Sequence, residues 1–398
     1  MNPQTNPTHR RYDLDWLRVF AIISVFIYHS TRFFNLGDWH VKSPVLYTSV
    51  EIIQGFATSW MMPLIFLVSG ASIFFALRKG GAGKFINDKL LRLGVPLLVC
   101  ILTHASLQVY LEKTTHGLFT GSYFAFLPHY FEGIYLDIGS QGNFAIAGMH
   151  LWYLLVLLAY SVVFYPLFTW LTGRGAKVLA KLGDILAFPG VIYLLAPPTL
   201  IFLDFVENLP GGDTTPGGWP LLAYIPFLLA GFVLVSSSRL QARIQSWRWV
   251  SLGIGLVFSA LYFYWATQPR YAQLLDDLDG PLYSIMSWGW ILTFMGFASL
   301  RLSFTNPFLK YANEAVLPFY ILHQTVLLVV GYFTFQWQIS SLAQWLLIAS
   351  TSFAIIMLAY EFLVRRTNVL RFLFGMKKIS KTAVVTSREP LLAQKNIQ

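Results

Sequence analysis

Apolar runs about as long as a bilayer is thick recur along all 398 residues, and they constrain the fold more than any other feature. A helix needs about 20 apolar residues to cross the hydrocarbon core. The chain is 56% hydrophobic and only 12% charged, whereas soluble proteins average about 25% charged residues. We therefore predict an all-α fold, a polytopic membrane helix bundle of about ten transmembrane helices. The predicted spans are 14–35, 47–77, 94–111, 149–171, 185–203, 219–235, 249–267, 282–300, 315–335 and 342–364.

The basic residues predict the orientation, because lysine and arginine concentrate in cytoplasmic connections. Two of them precede the first predicted helix and the others follow every second one, so both termini are expected to be cytoplasmic. The residues concerned are Arg10, Arg11, Arg78, Lys79, Lys84, Lys89, Arg92, Arg174, Lys177, Lys181, Arg239, Arg243, Arg248, Arg301, Lys310, Arg365, Arg366, Arg371, Lys377, Lys378 and Lys381. Since the cations sit at helix ends, the net charge of +10 indicates a membrane protein in contact with lipid, and no nucleic-acid partner is expected. We predict a single transmembrane domain over 1–376 and a basic, then polar, cytoplasmic tail over 377–398.

Several kinds of site have no support in the sequence. The single Cys100 excludes an internal disulfide and a cysteine metal site. There is no Walker lysine loop, no H-E-x-x-H and no G-x-S-x-G elbow. We expect no metal and no tightly bound cofactor. The second helix is long enough to require tilt or a break at Pro63, and the connection over 112–148 is long enough to suggest a function or a cover.

Arg18 and His29 lie in the first apolar run, eleven residues apart. A helix turns about 100° per residue, so the two side chains fall within roughly 20° of each other and about 16 Å apart along the axis. Ionisable residues inside a bilayer usually mark a pathway or a reaction site. We predict that both face one common cavity. His29 is the candidate general base, because a neutral imidazole can take a proton from an alcohol.

Other ionisable residues are candidates with two interpretations each. Asp15 either pairs with Arg18 at i+3 or simply favours the helix dipole. Lys89 and Arg92 share a face at the entry to the third helix, where two cations suit a phosphorylated ligand. The alternative is that both belong to the general excess of lysine and arginine on the cytoplasmic side of the membrane.

Two further pairs stand at the fourth and ninth predicted helices. His150 and Trp152 open the fourth helix at an interface, where they are expected to act as anchors. Glu314 and His323 are nine residues apart, on opposite faces of an ideal helix, unless Pro318 kinks it. Glu314 could instead begin that helix. His323, with Tyr320 one turn before it, is either a structural hydrogen-bonded histidine or a functional one.

Together these segments resemble the acyltransferase-3 family of integral membrane proteins, over nearly the whole chain. The first signature is an arginine, ten residues and a histidine, formed here by Arg18 and His29. The others are the stretches 12–18, 65–70, 89–96, 150–154 and 318–323. One departure is Lys89, which stands where an arginine is common in the family.

The resemblance implies transfer of an acyl group from cytoplasmic acyl-CoA, a co-substrate, to a hydroxyl at the outer face of a bacterial inner membrane. The acceptor is expected to be a saccharide or glucan. By position, Arg18 and His29 become the essential pair, His323 belongs to the late histidine motif, and Arg92 and Lys89 contact the coenzyme together with Arg18. His29 is then a general base or a covalent acyl carrier.

Two other functions stay open from the residues alone. One is a proton-coupled transporter or exporter that uses His29 as a relay, without acyl transfer. The other is a non-enzymatic membrane partner of a glycan-synthesis complex. The sequence does not choose between acetyl and succinyl groups, and it leaves the acceptor's identity and the oligomeric state open.

Overall fold

The chain is helical throughout the part that the computed structural model describes, which contains no strand. The described residues are 10–77, 80–132, 145, 147–196, 198–199, 202, 205, 219–268 and 272–379, with the backbone alone for 272–279. The α-helices are α1 (Tyr12–Thr31), α2 (Thr48–Leu77), α3 (Ala82–Lys89), α4 (Val95–Leu102), α5 (His104–Thr115), α6 (Tyr123–Phe131), α7 (Trp152–Val163), α8 (Tyr165–Thr172), α9 (Ala176–Leu186), α10 (Tyr224–Leu234), α11 (Ser238–Ser246), α12 (Arg248–Ala266), α13 (Ala272–Arg301), α14 (Pro307–Thr334), α15 (Ser341–Ala359) and α16 (Asn368–Leu373). Short π turns occupy Leu90–Gly94 and Tyr360–Val364, and 3-10 turns occupy Met149–Leu151, Val191–Leu195 and Leu221–Ala223.

Among the described residues, five helical segments are long and apolar enough to cross a bilayer, so the chain is a multi-pass membrane protein. They are Thr48–Leu77, Ala82–Thr115, Arg248–Ala266, Pro307–Thr334 and Ser341–Val364. The number rises to seven if each of two bent pairs is one span, the bends being 54° after Val163 and 108° after Leu234. The prediction of ten spans is not confirmed. Both termini, and with them most of the predicted tail, lie outside the described residues.

Two predicted boundaries are wrong because helical segments extend beyond the apolar runs. The third span begins at Ala82, not at 94, and continues through the π turn that contains Arg92. Lys89 and Arg92 therefore lie inside a helical segment and not at its entry. The ninth helix begins at Pro307, where the Asn306 side chain accepts a hydrogen bond from the Leu309 amide at 2.7 Å. Glu314 is therefore two turns inside the helix and does not begin it.

Two prolines lie within continuous helices, and one predicted span is interrupted at a glycine. α2 continues through Pro63 without a break, and α14 continues through Pro318. The predicted span 185–203 is interrupted after α9 by a turn through Pro189 and Gly190, whose φ is 81°. The long connection carries α6, which spans Tyr123–Phe131, while residues 133–144 lie outside the described part of the chain.

α2 is the central helix of the bundle. In its most apolar stretch 78% of the residues are buried, against 17% in α12. α2 crosses α10 so closely that a Cβ on Gly70 would lie 1.9 Å from the Leu228 carbonyl oxygen, and one on Gly231 would lie 1.9 Å from that of Leu67. Small residues permit this approach of two backbones inside a membrane. α1 packs against α2 and α14, and this three-helix arrangement positions the site.

Candidate active site

α1 presents Arg18 and His29 to the same neighbouring helix, α14. The Arg18 Nη1 donates to Asn313 Oδ1 at 3.0 Å. Further along both helices, His29 Nδ1 lies 2.8 Å from His323 Nε2. Both side chains therefore face α14, and the predicted common face of α1 is confirmed.

Arg18 has three partners from three elements. Besides Asn313, it donates to Asp15 Oδ1 at 3.1 Å and to Ser72 Oγ of α2 at 2.8 Å. The predicted pair with Asp15 is therefore present. Asp15 also accepts from Arg10 Nε at 2.7 Å. Charge-assisted hydrogen bonds of this kind hold the guanidinium in one orientation.

Arg18 lines a cavity of about 370 Å³ between α1, α2, α3, α7 and α14. At one end, where α2 leads into α3, the lining includes Lys84, Asp88, Lys89 and Arg92. The cations outnumber the acids, so the cavity has a positive potential that attracts anions. Within the described part of the chain, the side chains of Lys89 and Arg92 form no hydrogen bond and no ion pair. The Lys89 Nζ lies 5.5 Å from the centre of the Phe85 ring.

The other end of the cavity is closed by two tyrosines. Tyr153 and Tyr320 meet edge to face, with ring centres 6.0 Å apart and an angle of 88° between the rings. The Tyr153 hydroxyl lies 2.6 Å from Ser69 Oγ, and the Tyr320 hydroxyl donates to the His150 carbonyl oxygen at 2.5 Å. The cavity ends at this tyrosine layer, and His29 is not among its lining residues. The prediction of one cavity that contains both Arg18 and His29 is therefore wrong: Tyr320, which lines the cavity, also packs against His323 with ring centres 5.4 Å apart.

Beyond the tyrosine layer lies a histidine cluster, formed by His29, His150 and His323. His323 Nδ1 is 2.5 Å from the Tyr320 carbonyl oxygen, and His150 Nε2 is 3.1 Å from that of Ile321. His323 and His150 are only 1% and 5% exposed, whereas His29 is partly exposed. His29 is thus the least buried residue of the cluster.

A ladder of polar side chains adjoins the histidine cluster, and the sequence analysis missed it. Gln108 Nε2 contacts His150 Nδ1 at 3.3 Å and Thr325 Oγ1 at 2.7 Å. Gln324 Nε2 donates to Gln108 Oε1 at 2.9 Å and approaches His40 Nε2 at 3.2 Å. His40 Nδ1 pairs with Glu112, which is 7% exposed. The signal that could have revealed the ladder is the presence of Gln108 and Gln324 inside apolar runs, because polar side chains there bond across helices.

The connection from α1 to α2, residues 32–47, places Trp39 beside His29. The two rings are nearly parallel, 7° apart in angle, with centres separated by 6.3 Å. Lys42 holds the connection in shape by donating to the carbonyl oxygens of Arg32, Asn35 and Gly37 and to Asn35 Oδ1, at 2.6–2.9 Å. Glu51 accepts from Asn35 Nδ2 and from the Leu36 and Gly37 amides at 2.8–3.1 Å. Burial, with Arg32 nearby, lowers the pKa of the Lys42 ammonium to about 8.

The remaining candidate residues occupy other positions than expected. His150 and Trp152 are not interfacial anchors: both are buried, and Trp152 packs against Phe66 and Tyr224. Glu314 points away from the cavity and pairs with Arg371 at 2.8 Å and with Arg365 at 3.7 Å. Glu314 and His323 therefore occupy opposite sides of α14, as their spacing predicts.

Three cavity residues escaped the sequence analysis as site candidates. Asn313 and Ser72 hold Arg18, and Ser69 holds Tyr153. Their side chains are short and uncharged, and serine and asparagine are common enough in helices that the sequence alone did not single them out.

The fold and the site define a class: a multi-pass, all-helical membrane protein with a cationic cavity and a histidine cluster next to it. The acyltransferase domain family, acyltransferase-3, matches residues 11–361, and the chain belongs to this family. It is similar to the glucans biosynthesis protein C of Salmonella heidelberg, of Salmonella typhi and of Salmonella typhimurium. In each case 24% of residues are identical over 388 residues, which cover 93% of this chain and 96% of the relative. No solved structure matches the chain.

Proposed function

We propose that the protein is a membrane O-acyltransferase that moves an acyl group from cytoplasmic acyl-CoA to a hydroxyl of a saccharide or glucan on the other side of the bacterial inner membrane. The observation that carries the proposal is the arrangement along α1 and α14. A cationic cavity with Arg18 lies at one level, and a partly exposed His29 paired with His323 lies at the next. Membership of the acyltransferase-3 family and similarity to glucans biosynthesis protein C support it.

The donor enters at the end of the cavity that is lined by Lys84, Lys89 and Arg92. These cations bind the phosphates of the coenzyme, because lysine and arginine form strong charge-assisted bonds with phosphate oxygens. The cavity of about 370 Å³ has the size of a small-molecule site, which suits a slender pantetheine arm. Arg18 then contacts the donor inside the cavity and orients it toward His29.

The reaction joins donor and acceptor at His29. The acceptor hydroxyl transfers its proton to the imidazole while its oxygen attacks the thioester carbon. The tetrahedral intermediate collapses, the carbon–sulfur bond breaks, and the coenzyme A thiolate takes up the proton. An ester and free coenzyme A are the products. The tyrosine layer must open for the thioester to approach His29, and a movement of Tyr153 would break the contact of its hydroxyl with Ser69.

The test uses the purified protein in lipid nanodiscs with radiolabelled acetyl- or succinyl-CoA and a linear glucan acceptor. Label on the glucan together with release of coenzyme A is the expected result, and the preferred donor identifies the acyl group. H29A should lower both signals by about 10²-fold or more. H104A is the matched control, since the His104 side chain bonds, among the described residues, only to its neighbour Thr103.

Other outcomes would point to the other functions. If the wild-type protein releases no coenzyme A and labels no glucan, the acyltransferase proposal is wrong. Uptake of protons or solutes by proteoliposomes without ester formation would then indicate a transporter. Label retained on the protein and absent from H29A would identify His29 as a covalent acyl carrier.

A further inference from the structure

We propose that His323 is a positioning residue that fixes the tautomer of His29, so that Nε2 of His29 is the atom that accepts the proton from the substrate hydroxyl. This inference rests on the proposed function, because it assigns the reacting atom of the same site. It follows from hydrogen bonds whose direction is dictated at one end by a backbone carbonyl.

The first step concerns His323. Its Nδ1 lies 2.5 Å from the Tyr320 carbonyl oxygen. A carbonyl oxygen can only accept, so the nitrogen must carry the hydrogen. In a neutral imidazole the other nitrogen then has a free lone pair. His323 Nε2 is therefore an acceptor.

The second step concerns His29, whose Nδ1 lies 2.8 Å from His323 Nε2. Since His323 Nε2 accepts, His29 Nδ1 must donate and must carry the hydrogen. The lone pair of neutral His29 is then on Nε2. The backbone carbonyl of Tyr320 thus determines, through His323, which nitrogen of His29 is basic.

If His323 Nε2 donated to His29 Nδ1 instead, His323 would carry a hydrogen on both ring nitrogens and would be positively charged. That ring is 1% exposed, and its two hydrogen-bond partners in the structure are a neutral carbonyl and another imidazole. A buried charge without a charged partner is strongly unfavourable. The neutral chain from the carbonyl through two imidazoles is the arrangement that the site can sustain.

Donors and acceptors in the neighbouring ladder can be assigned in the same way, and none of the ladder side chains hydrogen-bonds to His29 in the structure. His150 Nε2 donates to the Ile321 carbonyl oxygen, so its Nδ1 accepts from Gln108. The two hydrogens of the Gln108 amide reach His150 and Thr325, and those of the Gln324 amide reach Gln108 and His40. Each nitrogen of the ladder has a role that agrees with the others. The His29–His323 pair is thus embedded in a network of defined polarity.

The expected size of the effect comes from enzymes in which a third group orients a histidine base. Loss of the orienting group in a serine protease leaves the geometry intact and lowers kcat by about 10⁴ through the wrong tautomer. Here the orienting group is a neutral acceptor, not a carboxylate. We expect loss of this acceptor to lower kcat by about 10²-fold, at the lower end of the range for general base catalysis.

The test compares three substitutions of His323 that distinguish its role as a hydrogen-bond acceptor from its role in filling space. H323Q can place a side-chain oxygen near the position of Nε2 and should keep kcat within about tenfold of wild type. H323N keeps a donor for the Tyr320 carbonyl but does not reach His29, and it should lose as much activity as H323L. KM for acyl-CoA should change little in all three, since His323 does not line the cavity. If H323Q and H323N lose activity equally, the role of His323 is packing and the inference is overturned.

A spectroscopic readout is independent of turnover. In protein labelled with ¹⁵N-histidine, the shifts of His29, assigned with H29A, should show a protonated Nδ1 and a free Nε2 in wild type and in H323Q. In H323L the Nε2–H form of His29 should become populated. An unchanged His29 spectrum in H323L overturns the inference even if activity falls. Failure of the proposed function is recognised separately, because wild type would then release no coenzyme A while the tautomer result still stands.

Discussion

The cavity and the histidine cluster lie one after the other along α1 and α14, yet they are built in opposite ways. In the cavity, Lys89 and Arg92 lack hydrogen-bond and ion-pair partners among the described residues, and Arg92 is exposed. In the histidine cluster, the nitrogens of His323 and His150 are both bonded, and the two rings are buried. Unpaired cations are suited to bind an anionic ligand that arrives from outside. Paired imidazoles are suited to chemistry, because orientation fixed in advance lowers the cost of reaching the transition state.

Arg18 is intermediate between the two regions. It lines the cavity, but three hydrogen bonds hold it as firmly as the histidines are held. This suggests a division of labour in which Lys89 and Arg92 capture the donor and Arg18 orients it. The following predictions test that division, from the largest effect to the smallest.

The largest effect is expected at the histidine cluster. His29→Ala should lower kcat by about 10²- to 10⁴-fold, because the general base is lost. The double substitution of His29→Ala with His323→Leu should be no worse than His29→Ala alone, since residues that act as a unit are not additive. Steady-state kinetics of coenzyme A release checks both. Additive losses would mean that His323 acts independently of His29.

Replacement of Arg18 should have the next largest effect. Arg18→Gln removes a cation that is bonded to Asp15, Asn313 and Ser72, and kcat/KM for acyl-CoA should fall by about 10- to 100-fold. Ser24→Ala, on the same helix, is the control, because within the described part of the chain the Ser24 side chain bonds only to the Phe20 carbonyl oxygen. A change in KM without any change in kcat would mean that Arg18 only binds the donor, as Lys89 and Arg92 do.

Lys89 and Arg92 should affect only the binding of acyl-CoA. Lys89→Gln together with Arg92→Gln should raise KM for acyl-CoA by about tenfold and leave kcat unchanged. The wild-type KM should rise with salt, which screens exposed charges, and the double variant should depend less on salt. Arg239→Gln is the control, because Arg239 pairs with Asp184 away from the cavity. A loss of kcat in the double variant would contradict the division of labour.

The smallest effect is expected in the connection that holds Trp39 beside His29. The pKa of Lys42 is lowered to about 8 in the folded protein, against about 10.4 for a free lysine. Between these values the unfolded chain binds a proton that the folded protein has released, so folding stability from this group rises with pH. Below about pH 8 it contributes no pH dependence. The difference in melting temperature between wild type and Lys42→Met should be flat from pH 6.5 to 7.5 and increase toward pH 9.5. A difference that decreases above pH 8 would show that the lowered pKa is wrong.

The sequence predicted the helix bundle and the common face of Arg18 and His29 because both depend on local periodicity. Runs of apolar residues decide where helices form, and eleven residues bring two side chains back to one face of a helix. The Asp15–Arg18 pair is equally local, at i+3. Helix ends were predicted less well: α14 starts at a cap on Asn306, outside the apolar run, and α3 begins at a polar segment.

What the sequence alone determined is therefore an all-helical membrane protein with a cation and an imidazole on one helix face, since these follow from residue order and the helical repeat. Only the tertiary structure decided which residues those two groups meet. Asn313, His323, Tyr320 and Gln108 reach the site from helices that are distant in sequence, and their contacts depend on how α5 and α14 pack against α1 and the α7 segment. The tyrosine layer that separates cavity from histidines, and the carbonyl that sets the imidazole polarity, are properties of that packing and have no local signature in the chain.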